Sequence, residues 1–255
     1  LTPVSIQFAI RSFLISEPSG IQRFYKPHGR IVNGTAASLA QFPHQVSLRN
    51  TITSNHFCGG NIVSPRWILT AAHCMFQPST GVQLRPWQIT LSQAFSIDNH
   101  TVAYRQLRIN QVPVGTVCQV AGWGYPNIPF VMNELMYVDV PIVSQQLCRE
   151  LYIEFSNVPE GMICAGYIEG LRDACQGDSG GGLICGGILT GVVSWGEGCA
   201  WSNYPGVYTD VRFYRDWISE YIKDDLVDSN GSDGVKFSLW TKLLPFLVAG
   251  LITRL

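Results

Sequence analysis

Eight cysteines constrain the fold of this chain more than any other feature of its sequence. Their number is even and none belongs to a Cys-x-x-Cys pair, which favours four disulfides and a secreted protein over a redox or metal motif. Eight reduced cytosolic thiols are the alternative. The sequence alone leaves on the order of a hundred pairings open. The cysteines are Cys58, Cys74, Cys118, Cys148, Cys164, Cys175, Cys185 and Cys199.

The composition predicts an all-β protein. Charged residues make up only 14% of the chain, while glycine occurs 25 times, a balance that suits short strands joined by tight turns. The 17 basic and 18 acidic side chains nearly cancel, and no Lys/Arg run forms the basic patch of a nucleic-acid-binding protein. Nucleic acid is therefore excluded as an expected partner.

The chain divides into three segments by pattern. Residues 1–30 hold no cysteine and end in a Pro/Gly-bearing stretch, so we expect an exposed propeptide or an incomplete N-terminal segment. Residues 31–222 alternate short β-rich runs with turn residues and close with a helix, because Val211, Tyr214, Ile218 and Ile222 recur at helical spacing. Residues 223–255 form a flexible spacer and an apolar tail.

The apolar run of residues 243–252 is too short for a membrane span, since ten residues rise only about 15 Å as a helix. Small residues at 229–232, a polar spacer and this terminal run match a glycolipid-anchor signal. The alternative is a tail that packs on the domain or stays disordered. A membrane is expected as a partner only through such an anchor.

Two short strings carry residue types suited to nucleophilic catalysis. Gly177-Asp-Ser-Gly-Gly181 places Ser179 between glycines, where the backbone can bend tightly and present adjacent N–H groups to an oxyanion. Leu69-Thr-Ala-Ala-His-Cys74 supplies His73 far upstream. Either string alone is weak, because a Gly-rich turn or a structural histidine would explain it, but together they form a strong pair.

With these strings the chain resembles the trypsin and chymotrypsin family of serine proteases. The resemblance implies two antiparallel Greek-key β-barrels with a C-terminal helix. The matching strings run in family order from Ile31 to about Ile222. They are Arg30-Ile-Val-Asn-Gly34, Phe57-Cys-Gly-Gly60, Leu69 to Cys74, Ala121-Gly-Trp-Gly124, Asp173 to Gly181, Val193-Ser-Trp-Gly196 and Tyr204-Pro-Gly-Val-Tyr208.

The resemblance implies a zymogen that hydrolyses peptide bonds through an acyl-enzyme. His73 is then the general base and Ser179 the nucleophile, and the N–H groups of Gly177 and Ser179 form the oxyanion hole. Cleavage after Arg30 would free the amino group of Ile31 to pair with Asp178. The implied partners are polypeptide substrates, an activating protease and protein inhibitors.

The resemblance also implies cleavage after Arg or Lys. Asp173 falls at the floor of the specificity pocket, where a buried carboxylate attracts a long cationic side chain, and Ser194, Gly196 and Gly206 fall at its walls. A capped surface aspartate is the alternative for Asp173. The implied disulfides are Cys58–Cys74, Cys118–Cys185, Cys148–Cys164 and Cys175–Cys199. No cofactor and no metal is expected.

The family pattern breaks at the third member of the triad. In the chymotrypsin-type triad the aspartate follows the histidine by about 45 residues and the serine by about 138, so the 106 positions from His73 to Ser179 are about 32 short. The join falls near Thr90 and Leu91, which leaves the N-terminal barrel incomplete. Asp98 is the nearest carboxylate, but its surroundings resemble a later surface loop. The sequence therefore predicts a missing catalytic aspartate.

Three hypotheses follow for function. The first is a trypsin-like serine endopeptidase, impaired by the missing acid. The second is a secreted, non-catalytic pseudo-protease that keeps the Asp173 pocket and binds basic segments without cutting them. The third is an incompletely spliced or mispredicted gene product, which the missing initiating Met and the interior gap favour.

Overall fold

A computed structural model describes residues 31–38, 41–64, 67–93, 107–124 and 134–227. The propeptide segment with Arg30, the candidate acid Asp98 and the apolar tail lie outside the described residues. The strands are β1 (Thr35–Ala36), β2 (Gln45–Asn50), β3 (His56–Ile62), β4 (Ile68–Leu69), β5 (Ile89–Gln93), β6 (Val117–Gly122), β7 (Met136–Val143), β8 (Met162–Ala165), β9 (Gly182–Cys185), β10 (Ile188–Trp195) and β11 (Gly206–Asp210). The α-helices are α1 (Gln145–Tyr152) and α2 (Arg215–Val227), and 3₁₀ turns cover Ala72–Met75 and Pro86–Gln88.

The C-terminal half is a closed antiparallel barrel. Its strands follow the order β7-β6-β9-β10-β11-β8, and β8 pairs with β7 as well as with β11, so the sheet returns on itself. Strand β1 is added at the edge beside β7. Inward side chains such as Val120, Val140 and Leu183 are fully buried, because alternate residues of each strand face the barrel interior.

The N-terminal half forms an antiparallel sheet of the order β4-β3-β2-β5, four strands among the described residues. Thr90 and Leu91, where the sequence predicts a join, lie within β5 opposite Arg49 and Leu48. Next in the described chain comes Leu107, which already lies against the other half, forming a bridge with Leu189. The all-β architecture, with one closed barrel and a second antiparallel sheet, is therefore confirmed, while residues 94–106 lie outside the described residues.

The predicted C-terminal helix is confirmed, with later bounds than the sequence pattern gave. Val211 begins the turn between β11 and α2, while Ile218 and Ile222 are 4% and 3% exposed and pack into the core of the N-terminal sheet. Tyr214 contacts the same core. Helix α2 thus packs against the N-terminal sheet although it follows the C-terminal barrel in the chain.

The structure contains four disulfides, and they are the four pairs that the resemblance implies. They join Cys58 to Cys74, Cys118 to Cys185, Cys148 to Cys164 and Cys175 to Cys199. Disulfides persist in oxidising compartments, which together with the fold indicates a secreted protein. In the described ranges neither α-helix has both the length and the apolar character that crossing a membrane demands.

Candidate active site

Ser179 lies in a tight turn between Cys175 and β9. The N–H of Asp178 donates to the carbonyl of Cys175 (2.9 Å), and the N–H of Gly181 donates to that of Asp178 (2.9 Å). Gly180 has φ +83°, and a Cβ there would lie 2.2 Å from Oγ1 of Thr70, so only glycine fits. In the described part of the chain the N–H groups of Gly177 and Ser179 donate to no protein acceptor, which leaves both available to an oxyanion.

His73 lies in the 3₁₀ turn Ala72–Met75, directly after β4. A ring nitrogen lies within 4.8 Å of the sulfur atoms of Cys58 and Cys74, and Sγ of Cys74 lies 3.6 Å from the carbonyl oxygen of Ser179. The fold therefore brings the His73 and Ser179 loops together. Among the described residues the imidazole and the Ser179 hydroxyl share no hydrogen bond.

The cluster of His73 with two cysteines has the residue types of a metal site but not its chemistry. Cys58 and Cys74 are bonded to each other, and a metal is held by thiolates rather than by disulfide sulfur. His73 reaches the surface, yet the atoms around it desolvate the ring and lower its pKa below 6.5. A neutral imidazole at neutral pH is able to accept a proton.

Asp173 and Ser179 line the same cavity, which has a volume of about 200 Å³. The Asp173 side chain is 5% exposed, and its Oδ2 accepts the N–H of Ala200 at 3.0 Å. Its Oδ1 has no hydrogen-bond partner among the described residues, and burial raises the pKa of the carboxyl to about 7. A buried carboxylate oxygen without a partner is a site for a cation that carries its own N–H donors.

The residues that the resemblance places at the walls of the pocket all belong to the lining of this cavity. Ser194, Gly196 and Gly206 all line it. A Cβ on Gly206 would lie 2.9 Å from Oδ1 of Asp173, so any side chain at that position would obstruct the carboxylate. Tyr208 also lines this cavity, and within the described ranges its buried hydroxyl has no hydrogen-bond partner.

Ile31 and Asp178 are both fully buried. Oδ1 of Asp178 accepts the N–H of Gly124 (2.7 Å), and its Oδ2 accepts that of Cys175 (2.8 Å). Burial raises the pKa of this carboxyl to about 7. The segment after Ile31 is anchored as well, because the N–H of Val32 donates to the carbonyl of Asp173 at 2.8 Å.

His56 is a residue of this region that sequence reasoning missed. It is 5% exposed on β3, with Nδ1 at 2.7 Å from Oγ of Ser47 and Nε2 at 2.8 Å from the carbonyl oxygen of Gly177. Nε of Arg49 donates to the same Ser47 oxygen (3.1 Å), so the serine proton goes to Nδ1 and the Nε2 proton goes to Gly177. Burial accordingly lowers the pKa of His56 to about 4. Its place beside the Phe57-Cys-Gly-Gly60 string was the only signal.

No carboxylate supports the imidazole in the described portion of the chain. None forms an ion pair or hydrogen bond with His73 there, and desolvation alone causes its pKa shift. The described residues therefore supply a base, a nucleophile and a cation pocket, and they place no acid beside the base.

Comparison with known proteins assigns these residues to one family. The family model described as Trypsin matches residues 31–99 and 88–218. Trypsin 5G1 of Aedes aegypti is 38% identical over an aligned length of 226, covering 75% of this chain and 85% of its own. Trypsin of Simulium vittatum is 37% identical over 245, covering 82% and 99%. Hypodermin-B of Hypoderma lineatum is 40% identical over 232, covering 76% and 88%.

Proposed function

The chain belongs to the trypsin family of serine endopeptidases, and on that premise we propose that it cleaves polypeptides after Arg or Lys. The observation that carries the proposal is the shared cavity of Asp173 and Ser179, in which the buried Oδ1 atom has no partner. A guanidinium or ammonium group entering this cavity would satisfy that atom. The adjacent scissile carbonyl would then face the Ser179 hydroxyl.

The proposed reaction uses the two neighbouring loops. As Ser179 Oγ attacks the carbonyl carbon, its proton passes to His73, and the oxyanion accepts the free N–H groups of Gly177 and Ser179. His73 then protonates the leaving amine, and an acyl-enzyme remains until water hydrolyses it.

We assign residues 1–30 to a propeptide, residues 31–222 to the protease domain and residues 223–255 to a spacer and tail. Activation would follow cleavage between Arg30 and Ile31. A new ammonium group at Ile31 would meet the Asp178 carboxyl inside the protein, where each charge would compensate the other. An upstream protease is therefore a partner of this chain.

We further propose that the stretch with the catalytic aspartate is missing. The alignment with Trypsin 5G1 is 226 positions long, but 75% of this 255-residue chain is about 191 residues, so about 35 aligned positions have no counterpart here. The family model also matches in two segments that overlap at residues 88–99, where the sequence predicts the join. Without the acid, turnover should be about 10⁴-fold below that of a complete triad.

A second candidate function is binding without cleavage. It is favoured by the absence of a carboxylate partner for His73 among the described residues. The test is to cleave the full chain after Arg30 with an immobilised protease, remove that protease, and follow hydrolysis of an arginine ester beside the Ser179→Ala variant. Hydrolysis above the variant supports the peptidase. Binding of the ester with equal background hydrolysis in both supports the pseudo-protease.

A further inference from the structure

The side chain of Asn61 lies where the two halves of the protein meet, and it donates to both. Asn61 is fully buried on β3, and Nδ2 donates to the carbonyl oxygens of Leu69 (3.3 Å) and Gly180 (2.9 Å). Both partners are acceptors, so the amide must present its NH₂ group to them. Leu69 ends β4 just before the His73 turn, and Gly180 directly follows Ser179. One side chain thus joins the segment of the base to that of the nucleophile.

Two further hydrogen bonds run beside this amide. The N–H of Gly59 donates to the carbonyl of Ser179 (2.7 Å), and Oγ1 of Thr70 donates to the carbonyl of Gly59 (2.7 Å). We call the contacts made by Gly59, Asn61 and Thr70 the inter-barrel clamp. It couples β3 to β4 on one side and to the nucleophile turn on the other.

Asn61 and Gly182 fit each other closely. Oδ1 of Asn61 is buried and has no hydrogen-bond partner among the described residues. A Cβ on Gly182 would lie 2.3 Å from that oxygen, so a larger residue at 182 would displace the amide. The amide is therefore held by its two Nδ2 bonds and by the space that glycine leaves.

We propose that Asn61 is a positioning residue that sets the separation between His73 and Ser179. The inference rests on the proposed function. Among the described residues no carboxylate holds the imidazole, so the precision of the pair depends on the backbone that carries each residue. An error of about 1 Å between reacting groups costs about 100-fold in rate. The inter-barrel clamp joins the two backbone segments whose separation determines the distance between His73 and Ser179.

The test is the rate at which a fluorophosphonate labels Ser179 in the chain cleaved after Arg30. Asn61→Ala should slow labelling by about 10- to 100-fold, while the affinity of the Asp173 cavity for benzamidinium stays within about twofold, because the clamp does not line that cavity. Asn61→Ser keeps one donor and should recover part of the rate. Ser144→Ala removes the N-cap of α1 and is the matched control, lowering the thermal midpoint without slowing labelling.

A second variant keeps the test decisive if Asn61→Ala does not fold. Gly182→Ala should slow labelling in the wild-type background and have little added effect beside Asn61→Ala or Asn61→Ser. Wild-type labelling rates in Asn61→Ala, or purely additive effects of the two substitutions, overturn the inference alone. A cleaved wild-type chain that does not label at all overturns the proposed function and the inference with it.

Discussion

Nε2 of His56 lies 2.8 Å from the carbonyl oxygen of Gly177, one of the two residues whose N–H groups form the proposed oxyanion hole. The imidazole is neutral, and its proton is directed to Gly177 by Ser47 and Arg49 behind it. The shape of the nucleophile turn therefore depends on a buried histidine of the other sheet, as well as on the residues of the turn itself.

His56 should make stability depend on pH between about 4 and 6.5. Its pKa falls from 6.5 to about 4 on folding, so in this window the unfolded chain binds a proton that the folded chain does not. The contribution of His56 to the free energy of unfolding is complete above pH 6.5. As the pH falls towards 4, the free energy of unfolding should decrease by up to about 3 kcal/mol. Urea unfolding of the wild type and His56→Gln across this range is the measurement.

Comparing the wild type with His56→Gln separates the pH dependence due to His56 from the opposite pH dependence of two buried carboxyl groups. The raised pKa values of Asp173 and Asp178 make the folded chain bind extra protons below about pH 7, which favours folding as the pH falls. These contributions are common to both proteins and cancel in the difference. Parallel pH profiles would contradict the assignment of His56.

Asp173→Asn should abolish the preference for basic substrates. Replacing the carboxylate by an amide removes a charge-assisted hydrogen bond and should lower kcat/KM for an arginine ester by about 100-fold, with little change for a phenylalanine ester. Asp139→Asn is the matched control, since Asp139 accepts from Gln119 outside this cavity. An unchanged ratio of the two esters in Asp173→Asn would remove the pocket assignment.

Cation binding in the Asp173 cavity should strengthen as the pH rises to about 7. Burial raises the pKa of Asp173 to about 7, so below that pH the empty cavity holds a neutral acid that must release a proton before it pairs with a cation. The affinity for benzamidinium should fall about tenfold per pH unit below 7 and level off above it. Calorimetry in buffers of different ionisation enthalpy would detect the released proton, and a flat profile from pH 5 to 8 would refute this.

Asp98→Asn should leave turnover within about threefold of the wild type. The sequence around Asp98 resembles a later loop of the family, and loss of a true triad acid costs about 10⁴-fold. Turnover of an arginine ester by the chain cleaved after Arg30 is the measurement, with His73→Ala as the control for complete loss of the base. A drop of several thousand-fold would identify Asp98 as the acid.

Much of the architecture could be predicted because its signals are local or belong to the family. The spacing of Ile218 and Ile222 gave the closing helix, and the cysteine pairs followed from the resemblance. Helix α1 was missed although Ser144 caps it and Cys148 and Tyr152 lie buried four residues apart. Its eight residues are too few for periodicity to stand out between two strands.

The residues that support the site from the other sheet could not be predicted from the sequence, for a different reason. His56 and Asn61 act through carbonyl groups of Gly177 and Gly180, which are 121 and 119 positions away. A histidine and an asparagine on a strand carry no pattern that names such partners. Only the packing of the two sheets against each other reveals them.

The closed ring of β6 to β11 supports the Asp173 cavity and Ser179, whereas His73 follows β4, a border strand of the four-stranded sheet among the described residues. A closed ring cannot lose one strand without breaking pairs on both sides, but an open sheet can fray from either border. Thermal fluctuation would thus displace His73 before it disturbs the Asp173 cavity. Under the proposed function, peptide binding would therefore persist at temperatures where cleavage has already been lost.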